Sequence, residues 1–149
     1  MDVRRFDPMR LAAGGYKALI ALESYLKSCG LEGGLVDLVK LRVSQINGCA
    51  FCIDMHWKEL RARGEAEHRL YGLDAWEEMP WYTPRERAAL RWAEAVTTLH
   101  EGHVSDEVHA AAREQLSESE IANLTLAAAA INAWNRLAIA ARMSPRDPR

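Results

Sequence analysis

The sequence has 149 residues and a mass of 16.7 kDa, which is enough for one domain with a buried core. Hydrophobic residues make up 49% of the chain and charged residues 27%, and these ordinary fractions exclude an intrinsically disordered protein. The net charge of -2 and the pI of about 6.2 give no electrostatic footprint for binding nucleic acid or an anionic membrane.

The N-terminal half contains three predicted helices, and no sustained apolar–polar alternation predicts a strand anywhere in the chain. The first helix opens at Pro8 and ends near Gly30. Apolar residues at helical spacing predict a second helix over 35–46, which ends at the turn signal of residues 47–48. A third helix is predicted over 49–63.

The C-terminal half has a short helical stretch, an irregular link through Pro80 and three longer helices. Their predicted ranges are 67–76, 84–99, 106–116 and 118–143. The second and the last of these ranges each follow a capping box, in which Ser or Thr precedes Glu by three residues. The whole pattern predicts an all-α fold that forms a single domain over residues 1–149.

No segment of the sequence reaches the ~20 apolar residues that a membrane-spanning helix needs. The longest candidate, 121–134, is interrupted by Asn123, Thr125 and Asn132. The N-terminus lacks an apolar block followed by a small-residue cleavage site. We therefore expect a cytoplasmic protein that has no membrane partner.

Two of the three cysteines form a motif with a histidine. Cys49, Cys52 and His56 follow the pattern C-x-x-C-x-x-x-H, so a helix that opens here places all three on one face. The positive end of a helix favours thiolate over thiol, and His56 lies one turn beyond Cys52, where it can accept a proton. Cys29, near a predicted helix end, is interpreted as a packed thiol outside this pair.

The preceding helix offers a carboxylate that could orient the histidine. At ~1.5 Å rise per residue, Asp37 and His56 lie roughly 16 and 13 Å from the turn at Gly48. The two side chains are therefore at similar height if the two helices pack as an antiparallel pair, and we expect them to meet.

Three interpretations of the motif stay open on the residues alone. The cysteines could be inert core residues with a buried histidine. Cys49, Cys52 and His56 could bind a metal ion, with Asp37 as a fourth ligand. The favoured interpretation is a redox dithiol, because zinc pairs of this spacing usually work with a second ligand pair, and the sequence has no second cysteine pair.

The run 35–56 resembles the core motif of the alkyl hydroperoxidase D (AhpD-like) family, within the carboxymuconolactone decarboxylase superfamily. Looser similarity covers 85–90 and 131–137. The resemblance implies an all-helical fold that assembles into trimers or hexamers. It also implies a cofactor-free thiol peroxidase with an antioxidant role, which reduces hydroperoxides and is itself reduced by a dithiol or lipoyl-type protein.

The resemblance also implies a role for each residue of the motif. Cys52 would be the peroxidatic nucleophile, and Cys49 would donate a proton and resolve the oxidised sulfur as a redox-active Cys49–Cys52 disulfide. His56 would be the base or proton relay, oriented by Asp37 at the position of the family's glutamate. The sequence departs from the family twice, because Asp37 is one methylene shorter than that glutamate and Phe51 replaces a histidine of the founding peroxidases.

A function of another class also fits the motif. The protein could be a homo-oligomeric binding protein in which the dithiol senses oxidation and the oligomer carries out the function. Turnover of peroxide with a thiol donor favours the enzyme, whereas stoichiometric oxidation coupled to a changed oligomer favours the sensor.

Overall fold

The computed structural model describes residues 4–146, and every regular element within that range is a helix. The α-helices are α1 (Pro8–Leu11), α2 (Ala13–Leu26), α3 (Gly33–Asn47), α4 (Ala50–Ala62), α5 (Glu67–Tyr71), α6 (Pro84–Thr97), α7 (Asp106–Gln115) and α8 (Glu118–Ala141). Two short 3₁₀ helices cover Leu73–Ala75 and Leu99–Glu101. The prediction of an all-α, single-domain fold is confirmed, and residues 1–3 and 147–149 of the predicted domain lie outside the described range.

Helices α3 and α8 form the centre of the domain. Helix α3 packs against α4, α6 and α8, while α8 also contacts α2, α4 and α7. The alanines Ala127, Ala128 and Ala130 of α8 are buried, and their small side chains let neighbouring helices approach closely. Leu124 and Ile131 fill the same interface and are fully buried.

Helices α3 and α4 form the predicted pair that carries the motif. Gly48 ends α3 in the left-handed conformation, with φ of 67°. Its backbone N–H donates to the carbonyl of Gln45, and the N–H of Cys49 donates to that of Ser44, as in a glycine-based helix C-cap. The chain therefore turns back within two residues, and α4 packs along α3.

The structure differs from the predicted helix ranges at several helix ends, and α8 ends at Ala141 where 143 was predicted. The first predicted helix is broken at Ala12, whose backbone leaves the helical region with φ of -128° and ψ of 47°. Cys49 lies outside α4 as its N-cap residue, with extended backbone. The stretch 67–76 divides into α5 and a 3₁₀ turn, and α6 ends at Thr97 because Thr98 leaves the helical region.

Helix α8 is the one helix of residues 4–146 that is long and apolar enough to cross a membrane by length and composition. In its most apolar window, 44% of the residues are buried inside the domain. Partial burial of this kind is found in the core helices of globular domains.

Both predicted capping boxes, at the starts of α6 and α8, are formed.

Candidate functional site

The two cysteines of the motif are in direct contact at the start of α4. Their Sγ atoms lie 2.6 Å apart, and both residues are free thiols with an exposed fraction of 1%. Cys49 is the N-cap residue, and its Sγ accepts a hydrogen bond from the backbone N–H of Cys52 at 3.4 Å. The N-cap position thus directs one sulfur back over the first turn, where it meets the other.

The hydrogen bond between the sulfurs separates their acidities. The hydrogen bond with Cys52 lowers the pKa of Cys49 to about 6 despite burial, and the backbone N–H of Cys52 acts in the same direction. The same bond and burial raise the pKa of Cys52. The resemblance makes Cys52 the nucleophile, whereas the backbone N–H at the start of α4 points to the sulfur of Cys49 and favours negative charge there.

A cavity of about 640 Å³ opens beside the pair and lies between α2, α4 and the end of α8. Cys52 lines this cavity and Cys49 does not, so Cys52 is the sulfur that a ligand in the cavity can reach. The volume is within the range of small-molecule sites. Its apolar lining comes from Tyr16, Ile20, Phe51, Met55, Trp134, Leu137 and Met143.

His56 lines the same cavity and is 5% exposed. Its Nδ1 lies 2.8 Å from Oε2 of Glu59, one turn further along α4, while its Nε2 is buried and has no hydrogen-bond partner among the described residues. The hydrogen bond to His56 holds the pKa of Glu59 below its usual range. Glu59 is a site residue that the sequence analysis missed, although its i,i+3 spacing from His56 is a usable signal.

Asp37 lies near His56 without forming the expected contact. Its Oδ2 accepts from Nε of Arg63 at 2.6 Å, whereas the partner of His56 is Glu59. Arg63 is the C-cap residue of α4, and its guanidinium reaches Asp37 on the neighbouring helix. The physical reason for the difference is competition, because a carboxylate binds a permanently charged guanidinium more strongly than an imidazole.

One group of potential metal ligands occurs in the described part of the chain, and it is not the predicted set. Asp37, His56 and Glu59 each bring one ligand atom within 4.8 Å of the others. The alternative ligand set of Cys49, Cys52 and His56 is not brought together in this way. The two thiols hydrogen-bond to each other, and His56 hydrogen-bonds to Glu59. Arg63 pairs with Asp37, so positive charge already balances part of this group.

Buried polar residues from distant parts of the chain complete the surroundings of the site. Lys40 pairs with Glu23 at the wall of the cavity, and Nε1 of Trp134 donates to the same carboxylate at 3.0 Å. Asn135 of α8 is fully buried; it accepts a hydrogen bond from Asn47 at 2.9 Å and donates one to Ser44 at 3.1 Å. Sequence spacing offers no signal for the contacts of Trp134 with Glu23 and of Asn135 with Ser44, because they join residues 111 and 91 positions apart.

Comparison with known proteins shows the family to which the chain belongs. The model of the Carboxymuconolactone decarboxylase family matches residues 14–95, a segment that contains both cysteines of the motif and His56. The chain belongs to this family. The chain is 41% identical over 137 residues to YdfG, an uncharacterised protein of Bacillus subtilis. The match covers 92% of this chain and 93% of YdfG.

Solved structures of the family show the same fold. ATU0492 of Agrobacterium tumefaciens, a protein of unknown function named for AhpD-type antioxidant defence, has a TM-score of 0.92 and 42% identity, over 97% of this chain and 99% of that one. An AhpD-core, peroxidase-related protein from Ralstonia eutropha has a TM-score of 0.82 at 22% identity, over 93% of this chain and 74% of that one. The predicted assignment to the AhpD-like proteins is confirmed.

Proposed function

We propose that this protein is a thiol-dependent peroxidase that reduces organic hydroperoxides through Cys49 and Cys52. The observation that carries the proposal is the contact of the two free thiols at 2.6 Å beside a cavity that only Cys52 of the pair lines. Family membership and the peroxidase-related names of its relatives support the same chemistry. The predominantly apolar lining of the cavity favours a hydroperoxide with an organic group.

The first step oxidises Cys52. The sulfur of Cys52 attacks the distal oxygen of the hydroperoxide, the O–O bond breaks, and the alkoxide leaves as an alcohol after it takes up a proton. Cys49, on which negative charge is favoured, accepts the proton that Cys52 releases and can pass it to the leaving alkoxide. The products are a sulfenic acid on Cys52 and one molecule of alcohol.

The second step forms the disulfide. The thiolate of Cys49 attacks the sulfenic sulfur of Cys52, and hydroxide leaves and becomes water. The short distance between the sulfurs makes this step fast and protects Cys52 from further oxidation. A dithiol donor of small-molecule or lipoyl-protein type then reduces the disulfide by exchange and is itself oxidised, which restores both thiols.

His56 is proposed to move protons within the cavity. Its Nε2 is free of protein partners among residues 4–146, and Glu59 fixes the ring through Nδ1. A ring held in this way can give a proton to the departing alkoxide and regain one later. Asp37, through Arg63, is assigned to the charge balance of the cavity wall rather than to the ring.

Hydroperoxide consumption with dihydrolipoamide as the reductant tests the proposal. We expect turnover with the wild-type chain and with the matched control C29S, because the sulfur of Cys29 donates to the carbonyl of Leu26 and lies outside the pair. C52S is expected to abolish turnover. C49S is expected to react once and to hold a sulfenic acid on Cys52, which dimedone labelling followed by mass spectrometry detects.

Two other results would replace the proposal. Retained turnover in C52S would remove Cys52 from its assigned role. Oxidation of one equivalent without turnover, together with a changed oligomer, would favour the redox sensor. Repeating the assay after chelator treatment separates thiol chemistry from a metal-dependent reaction, and we expect no change.

A further inference from the structure

Lys40 is a buried cation in the wall of the cavity. It belongs to α3, is 6% exposed, and lines the same cavity as Cys52 and His56. Its Nζ forms an ion pair with the carboxylate of Glu23, which is its hydrogen-bond partner among residues 4–146. Because an ammonium group has three N–H donors, two of them have no partner within that range and can serve a bound ligand.

Stability alone gives little reason for a charged side chain at this place. The ion pair of Lys40 and Glu23 is largely buried, and the lining around it is predominantly apolar. Such a pair is costly because both charges lose their water, and an apolar pair of similar volume is often as stable. A buried charge that lines a cavity and has donors to spare therefore indicates a role in binding or chemistry.

The helix pair places Lys40 level with His56. Each residue lies eight positions from Gly48, where the chain leaves α3, and α4 packs along α3. An observed proximity supports this register, since Asp37, one turn before Lys40, has a carboxylate oxygen within 4.8 Å of a ring nitrogen of His56. Cys52 lies four positions from Gly48, about 6 Å nearer to the turn. A ligand that Cys52 attacks can therefore extend towards Lys40 and His56.

We propose that the ammonium of Lys40 binds the leaving oxygen of the hydroperoxide and stabilises the negative charge that forms on it. When the sulfur of Cys52 bonds to the distal oxygen, the O–O bond breaks and its electron pair moves to the proximal oxygen. Lys40 donates a hydrogen bond to that oxygen and keeps its own proton. The proton that converts the alkoxide into the alcohol comes from Cys49 or His56. The inference deepens the proposed peroxidase function, on which it rests for the reaction.

The choice of oxidant separates this role from a structural one. The measurement is the rate of a single oxidation of the dithiol without reductant, in the C29S background, followed by quenching and thiol counting. The oxidants are tert-butyl hydroperoxide, whose leaving alkoxide holds its charge on one oxygen, and peracetic acid, whose leaving acetate spreads the charge over two. We expect K40M to lower the rate with tert-butyl hydroperoxide about ten- to hundredfold, because hydrogen bonds to charged groups have effects of that size. The rate with peracetic acid should change little.

K58M is the matched control for the loss of one lysine charge. Lys58 also forms an ion pair, with Asp54 at 2.7 Å, but it is exposed and is not among the residues that line the cavity. K58M should leave the rates with both oxidants unchanged.

A double variant guards against misfolding of K40M, which leaves the carboxylate of Glu23 without its cation. K40M/E23Q removes both charges and should show the same selective loss. Equal losses with the two oxidants, or no loss with either, in folded K40M would overturn the proposal. If K40M does not fold, the same results in K40M/E23Q overturn it. Because no reductant is present, a selective loss in K40M without steady-state turnover of the wild type would refute the proposed function and leave the role of Lys40 standing.

Discussion

Cys49 combines two properties that determine the chemistry of the pair, because it caps α4 and hydrogen-bonds to the sulfur of Cys52. The N-terminal end of a helix stabilises negative charge, and Cys49 receives a backbone N–H there. Cys52 lacks these donors but lines the cavity. Negative charge is thus favoured on Cys49, whereas Cys52 is the sulfur that we propose contacts the substrate.

The hydrogen bond between the two sulfurs predicts how replacement of Cys52 changes the acidity of Cys49. In the wild-type chain, the thiolate signal should be half developed near pH 6 and should be lost below it, because an acid with a lowered pKa is ionised above that value. C52A removes this hydrogen bond, so the titration should move towards about 8.5. C52S keeps a hydroxyl donor and should move it less. Equal titrations in C52A and C52S, followed by ultraviolet absorbance, would contradict the assigned hydrogen bond.

The partner of His56 predicts which carboxylate matters most. E59L removes the acceptor that fixes the imidazole ring, so kcat for hydroperoxide should fall at least about tenfold. D37N is the comparison variant, because it removes the charge that pairs with Arg63 and leaves His56 and Glu59 paired. Steady-state kinetics should show the smaller loss for D37N. A larger loss in D37N would restore Asp37 as the orienting group.

The local part of the site could be predicted from sequence, whereas the choice of partners could not. The spacing of Cys49, Cys52 and His56 fixes a shared helix face, and the structure brings the sulfurs into contact there. That Asp37 binds Arg63 while His56 binds Glu59 depends on competition between charged side chains. The position of Asn135 depends on how α8 packs across α3, which no local pattern encodes.

Helix boundaries could be predicted from sequence where a side chain caps the helix end. The capping boxes at Thr83 and Ser117 place the starts of α6 and α8 correctly. The break at Ala12 has no such marker, since an alanine favours helix continuation. Local helix propensity therefore does not explain that boundary.

The capping box of α8 gives a prediction for stability. Ser117 accepts from the backbone N–H of Glu120, and S117A should lower the free energy of unfolding by about 0.5–2 kcal/mol, measured by urea denaturation. S144A is the control, because Ser144 is exposed and makes no side-chain hydrogen bond within residues 4–146. Equal stability of S117A and S144A would show that the cap contributes little.

Exposed apolar side chains predict self-association of the whole molecule. Among the described residues, half of the ten large apolar side chains that are exposed fall within 6–25, and Leu11 is 63% exposed. Concentration of apolar surface in one segment is typical of a face that another protein covers. Together with the family resemblance, it leads us to expect a trimer or hexamer of the 16.7 kDa chain by light scattering, and a monomer at micromolar concentration would contradict this.

The central claim is that Cys49 and Cys52 form a redox dithiol, and one measurement tests it most directly. The chain is treated with one equivalent of an organic hydroperoxide after chelation, and its thiols are then counted and mapped by mass spectrometry. The account predicts the loss of two thiols, a Cys49–Cys52 disulfide and an unmodified Cys29. Thiols that stay unreactive until a metal ion is stripped, at about one zinc per chain, would contradict it.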